Sequence, residues 1–301
     1  MAEIPITQIG PDDAGQFEYH WQGDFLEAHL ISDVGKKRER NEDSCLMCAP
    51  ADDKLEVRRG RVFAVADGMG GVSGGAFASR LALDTVNATY YGAQDNGIPP
   101  ALRRAIEAAN TRIYEEAGNQ PEYRGMGTTV SMVAVMGEHI YIGHVGDSRV
   151  YLKRNGMGLT QLTRDHSLVA EQVRNGFISE EEARTHSLRN LITRAVGTRE
   201  TIKTDLYWTK IRAGDVLLIC SDGLCGVIED DVMDKALQVD NLAGTARSLV
   251  GRALEAGGPD NITAILIKVT AAPPKGRLDE GAEKILFEKP GFISRLLGRT
   301  S

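Results

Sequence analysis

Cysteine is scarce in this chain, four in 301 residues, which excludes a disulfide-stapled scaffold. Basic residues are not in excess either. The 35 Lys and Arg stand against 42 Asp and Glu, for a net charge of −7, so the electrostatic footprint of a general nucleic-acid binder is missing. No apolar run approaches the ~18–20 residues that span a bilayer, and no membrane span is expected. The start, MAEIPITQIGPDDAG, has neither the basic nor the apolar region of a secretory signal. The expectation is a cytoplasmic protein. None of the six histidines forms an H-E-x-x-H pair or a triad-like grouping, which removes the usual signatures of zinc and triad hydrolases.

What is present is ordinary globular composition, 42% hydrophobic and 26% charged, with 33 glycines. So many glycines suit a chain of short strands and tight turns. Runs rich in Val, Ile and Tyr and bounded by Gly, Asp or Asn predict strands at 28–35, 61–68, 128–136, 139–146, 149–154, 215–223 and 261–269. Several are joined by two to four residues, which favours antiparallel hairpins. Apolar spacing near 3.6 predicts helices from Ser73 to Tyr90, from Pro100 to Ala117 and over 242–254. Strands grouped with helices packed outside them give an α+β layered domain. Cys45-x2-Cys48 and Cys220-x4-Cys225 invite a zinc reading, but Cys220 ends the apolar run VLLIC, where a buried structural thiol is the simpler expectation.

Four aspartates each end or begin an apolar run beside a turn residue: Asp67-Gly68, Asp147-Ser148, Asp222-Gly223 and Asp260-Asn261. One Asp-Gly is a turn signal. Four at strand ends can converge on one edge of a core, and converged carboxylates repel unless a cation joins them. Hard oxygen donors select magnesium, manganese or calcium rather than zinc. Asn41-Glu42-Asp43 follows the basic stretch KKRER, residues 36–40. Acidic ligands beside an arginine suit phosphoryl chemistry, in which metals activate water and a guanidinium grips phosphate oxygens.

These pieces, in this order, resemble the metal-dependent protein phosphatases, the type 2C serine/threonine family, in its bacterial branch. The matching segments are SDVGKKRERNEDS, VFAVADGMGG, GMGTTV, VGDSRVYL, LLICSDGL and PDNITAILI, with the stretch at 162–197 between the fourth and fifth. The resemblance implies a β-sandwich of two antiparallel sheets flanked by helices, with the metal centre in a cleft at one end. It further implies hydrolysis of phosphoserine and phosphothreonine in proteins by a metal-activated water, with no covalent intermediate. Asp67 matches the carboxylate that bridges two magnesium or manganese ions, and the Gly68 carbonyl matches a ligand. Asp222 and Asp260 match the other direct ligands, and Glu42 and Asp43 the acidic pair that completes the site. Arg38 matches the phosphate-binding arginine, with Lys37 and Arg40 as secondary candidates. Asp147, with Asp222, matches the site of a third, weaker ion. Some members carry a histidine after the Asp-Gly pair as general acid. Here that position is Met69, which leaves the general acid unassigned, with water held by the metals as the first candidate.

The resemblance also implies phosphoprotein partners, made by a serine/threonine kinase, and a monomer. A pseudophosphatase should have lost a ligand, yet Asp67, Asp222 and Asp260 are all present. A two-metal phosphodiesterase or nuclease is disfavoured by the acidic body. The expected organisation is an N-terminal extension at 1–24, a phosphatase domain at 25–270 with a surface flap near 162–197, and a linker and tail at 271–301. The tail opens on AAPPKG, carries six basic against four acidic residues, and ends in a short amphipathic patch around Phe292, Ile293, Leu296 and Leu297. On paper that patch docks on the acidic body or on a partner.

Overall fold

A computed structural model describes residues 6–12, 15–94, 97–237 and 241–285. The strands in the first half are β1 (Ile6–Gly10), β2 (Phe17–Gln22), β3 (Leu26–Asp33), β4 (Asp43–Ala49), β5 (Arg61–Met69) and the short β6 (Gly127–Thr128). Helices α1 (Asp53–Arg59), α2 (Gly71–Gly92) and α3 (Ile98–Asn119) lie among them. The second half brings β7 (Val130–Met136), β8 (His139–Val145), β9 (Arg149–Arg154) and β10 (Met157–Gln161), then the flap helices α4 (Leu168–Arg174) and α5 (Glu180–Thr185). Strands β11 (Asp205–Lys210) and β12 (Val216–Cys220) follow, then α6 (Asp222–Cys225), α7 (Asp230–Ala236) and α8 (Leu242–Glu255), and finally β13 (Ile262–Val269) and β14 (Glu283–Lys284).

One sheet has the order β1-β4-β5-β7-β8-β11-β14, with β6 paired to β5, and the other has the order β10-β9-β12-β13-β3-β2. Every pairing is antiparallel except the two-residue edge pair β11–β14, which is parallel. The central strands β4, β7, β8 and β12 are buried almost throughout, because the sheets pack on each other and helices cover their outer faces. On β4, Cys45 and Met47 face the other sheet, in one core cluster with Phe63 and Val65 of neighbouring β5 and Ile265 and Ile267 of β13. Leu46 and Cys48 face outward, under α2 and α3. Cys45 and Cys48 therefore point to opposite sides of one strand, as residues three apart must. They cannot share a zinc ion. The outer face of the second sheet is sealed by α8, whose Leu242, Ala246, Leu249 and Ala253 pack on Leu218, Ala264 and Leu266.

The long helices begin two residues earlier than their apolar spacing predicts. Each starts beside a glycine, Gly70 or Gly97. On α2, Ala78, Leu81, Ala82 and Val86, spaced near 3.6 residues apart, are buried and Thr89 is half-buried.

Two segments expected outside the domain have partners within it. Strands β1 and β2, from the expected extension, edge the two sheets beside β4 and β3. Residues 271–285, from the expected linker, run across the first sheet. There the Ile98 amide donates to Asp279 Oδ2 at 2.8 Å and the Asp279 amide donates to the Tyr141 hydroxyl oxygen at 2.7 Å. The amphipathic patch at 292–297 lies outside the described residues. No helix among the described residues is long and apolar enough to cross a membrane.

Candidate metal centre

Strand register places the carboxylates. Asp43 opens β4 and sits directly opposite Asp67, near the end of β5. Val145, the last residue of β8, pairs with Val130, the first of β7, so the turn carrying Asp147 lies at the same end of that sheet. In the second sheet β12 ends where β13 begins, since Cys220 pairs with Ala264. Asp222 and Asp260 thus flank one edge. Asp33 pairs with Ile262, which delivers the loop bearing Arg38 and Glu42 to that edge as well. All eight predicted positions, Gly68 included, gather at one end of the sandwich.

Small residues and hydroxyls make the convergence sterically possible. A side chain on Gly68 would run into the Gly75 and Glu42 carbonyl oxygens, and one on Gly75 would press on the Glu42 carboxylate and the Gly68 carbonyl. The start of α2 can therefore lie against the candidate ligands only because residue 75 has no side chain. The Ser221 hydroxyl donates to Asp43 Oδ2 at 2.7 Å. Thr129 Oγ1 accepts from the Asp67 amide at 2.9 Å and shares a 2.7 Å hydrogen bond with Ser148 Oγ. Asn261 ties the rim loop to β13: it donates to the carbonyls of Val34 and Arg40, and its Oδ1 accepts from the Glu42 amide. At the base of the flap, His166 Nδ1 accepts from the Gly146 amide at 3.0 Å, and the His166 amide donates to the Gly146 carbonyl. Its Nε2 stands 3.1 Å from Asp205 Oδ2 and 2.9 Å from Arg194 Nη1. Sequence reasoning assigned no role to Gly75, Thr129, Ser221 or His166. Thr129, Ser221 and His166 stand within the matched segments, which is their only signal, and Gly75 lies four residues beyond one of them.

The electrostatics follow from this crowding. Burial pushes the Asp43 carboxyl up to about 7, against the Ser221 and Thr263 hydroxyls and with the help of Asp222 and Asp260. Burial also raises Asp67 well above the usual carboxylate range, and Asp43, Asp222, Asp147 and Asp260 add to it. Asp147 is raised by burial and by Asp222, Asp222 by burial and by Asp260, and Glu42 by burial against the pull of Arg38. Arg38 is the counterweight at the rim. Its Nη2 donates to Asp260 Oδ2 at 2.8 Å, and its Nη1 stands 3.7 Å from Glu42 Oε2. Burial disfavours the guanidinium charge, but Asp260, Glu42 and Asp67 outweigh burial and hold it on. With 46% of its side chain exposed, Arg38 can reach a ligand in the cleft. Lys37 and Arg40 lie in solvent.

Among the described residues, no three His, Cys, Asp or Glu side chains form a closed cage. Two observations nevertheless fit a hard divalent cation. The buried Asp43 Oδ1 and Asp147 Oδ1 have no hydrogen-bond partner, which is costly unless something positive meets them. The donor set is also entirely oxygen, as magnesium and manganese prefer.

The protein phosphatase 2C family model matches residues 36–258. The serine/threonine protein phosphatase PstP of Mycobacterium tuberculosis is 37% identical over 79% of this chain, which spans 44% of that protein's length. The protein phosphatase PhpP of Streptococcus pneumoniae is 35% identical, covering 81% of this chain and 98% of the relative. Among solved structures, the M. tuberculosis PstP crystal structure superposes with a TM-score of 0.73 at 37% identity, covering 82% of this chain and all of the other. A PstP catalytic domain in complex with two manganese ions superposes at 0.71 with 36% identity, covering 82% and 99%. From its first catalytic-edge loop to the turn before its last long strand, the chain belongs to the protein phosphatase 2C family.

Proposed function

We propose that this chain is a metal-dependent protein phosphatase that hydrolyses phosphoserine and phosphothreonine through an activated water, without a covalent intermediate. The observation that carries this reading is the meeting of five aspartates from both sheets at one end of the sandwich, with Arg38 at the rim. Bound there, two magnesium or manganese ions would supply Lewis acidity and a nucleophilic water at neutral pH. Asp67 would hold both ions, with the Gly68 carbonyl, Asp222 and Asp260 completing their protein ligands and Glu42 and Asp43 holding the outer waters. Asp147 and Asp222 would hold a third, weaker ion. Arg38 would exchange its carboxylate partners for the phosphate oxygens and orient the ester for in-line attack. Met69 has no proton to give, so no side chain at that position serves as general acid.

On this reading the substrates are products of a serine/threonine kinase. A single chain supplies every group the site needs, so a monomer suffices. The four buried free cysteines suit a reducing cytoplasm. The test is hydrolysis of a phosphothreonine peptide and of a phosphodiester side by side, with manganese and with excess chelator. Peptide turnover that needs metal, with the diester untouched, is expected. Full activity in chelator, or preference for the diester, would overturn the reading.

A further inference from the structure

Where the 162–197 stretch ends, residues 193–203 line a half-open pocket of about 340 Å³ whose lining includes Arg194, Arg199 and Lys203 and residues Thr193, Thr198 and Thr201. No carboxylate lines it, although the whole chain is acidic at −7. Arg194 is already committed, at 2.8 Å from Asp205 Oδ1 and 3.2 Å from the Lys203 carbonyl. Arg199 and Lys203 are exposed, and neither has an ion-pair partner among the described residues.

The loop that presents them is fixed. Asn110 on α3 donates to the Arg199 and Glu200 carbonyls at 3.0 and 3.1 Å and accepts from the Gly197 amide at 2.8 Å. Gly197 has φ of +87°, and a side chain there would run into Ile113. The two cations therefore project from a backbone that need not be ordered on binding, which lowers the entropic cost of recognition.

The same loop borders the metal centre. Val196 and Thr128 exchange two backbone hydrogen bonds, Thr128 pairs with Gly68, and the Thr128 hydroxyl donates to the Asp67 carbonyl at 2.8 Å. Two strand spacings of ~4.8 Å put Val196, next to the pocket residue Ala195, ~10 Å from Gly68, and an extended peptide covers that in about three residues.

We propose that this cavity is an anion subsite for the substrate chain, taking a carboxylate or a second phosphate about three residues from the phosphoserine or phosphothreonine being hydrolysed. The inference rests on the phosphatase reading and adds a substrate preference to it. Exposed charge pairs are individually weak, so two cations should lower KM for a matching peptide by about three- to tenfold at low ionic strength, and less in high salt.

The test uses the full chain with manganese and a set of phosphothreonine peptides. One has alanines on both sides, others carry glutamate three residues before or after, and others a non-hydrolysable phosphonate analogue of phosphoserine at those places. A lower KM for either anion supports the subsite, and the arm with the larger effect names its source. In Arg199→Gln/Lys203→Gln the preference should fall to about one, while Arg199→Lys should keep part of it. The variants' thermal midpoints should stay near that of the wild type, because both side chains are exposed. Equal KM for all peptides in the wild type, or an undiminished preference in the double variant, overturns the subsite. Absence of metal-dependent hydrolysis of the alanine peptide and of p-nitrophenyl phosphate would instead overturn the phosphatase reading.

Discussion

Replacing Asp67 by Asn should make the metal-free protein more stable while removing its activity. The wild-type carboxylate stands among Asp43, Asp222, Asp147 and Asp260, all of which push its pKa up. At an effective dielectric near 20, each neighbour within ~8–10 Å repels it by ~2 kcal/mol. Partial protonation and side-chain relaxation absorb much of that sum, leaving a net gain of about 2–3 kcal/mol for the amide. For a domain of this size that corresponds to a rise of roughly 4–10 °C in Tm in chelator at pH 8. The pH dependence has a definite sign. A carboxyl whose folded pKa lies above its unfolded value binds more protons in the folded state, so stability is fully present at low pH and is lost as pH rises. Asp43 sets the window: with its ordinary value of 3.8 raised to about 7, the chelated wild type should weaken between about pH 4 and pH 7. The gap between wild type and Asp67→Asn should therefore be small at pH 5 and large at pH 8. Manganese should reverse the order at pH 8, because it binds and stabilises the wild type and not the variant. Scanning calorimetry or thermal fluorescence at both pH values, with and without metal, reads all four cases. A chelated variant that melts at or below the wild type at pH 8 would refute the electrostatic reasoning.

Arg38→Ala should raise KM for a phosphopeptide several-fold with a smaller loss in kcat, because a guanidinium that grips phosphate throughout the reaction supplies mainly uniform binding; steady-state kinetics reads the split. Asp147→Ala should remove only the weakest phase of a calorimetric manganese titration while depressing peptide turnover, and loss of the tightest phase would contradict its role. Truncation after Thr270 should lower stability, since it removes the Asp279 carboxylate that accepts from the Ile98 amide at the start of α3. Asp279→Ala alone should cost about 0.5–2 kcal/mol, the usual range for a lost helix cap, by urea unfolding. Truncation after Ile285 should leave those contacts and the stability they give in place.

The aspartates were legible because each ends or begins an apolar run beside a turn residue. Their convergence was not, because it depends on which strand ends share an edge. The pairings Asp43 with Asp67 and Asp33 with Ile262 join residues 24 and 229 positions apart, and no local pattern records them. The long helices were visible in their apolar spacing, since α2 and α3 bury one continuous face against the first sheet. The edge strands were hidden for the opposite reason. β2 reads FEYHWQ and buries only Trp21 fully, as an edge strand does when one side meets solvent. Residues 271–285 look like a linker because their hold on the sheet depends on a few polar contacts around Asp279 and Tyr141 rather than on an apolar stripe. The Cys45-x2-Cys48 spacing invites a metal until strand alternation sends the two thiols to opposite faces.

Diffraction at the manganese absorption edge from crystals soaked in manganese tests the centre most directly. Two strong anomalous peaks should appear between the sheets' catalytic edges, both touching Asp67, one touching the Gly68 carbonyl, with Asp222 and Asp260 among the remaining ligands and Arg38 turned toward the open side. Peaks absent from Asp67 in a protein that still hydrolyses phosphothreonine would contradict the assignment of the site.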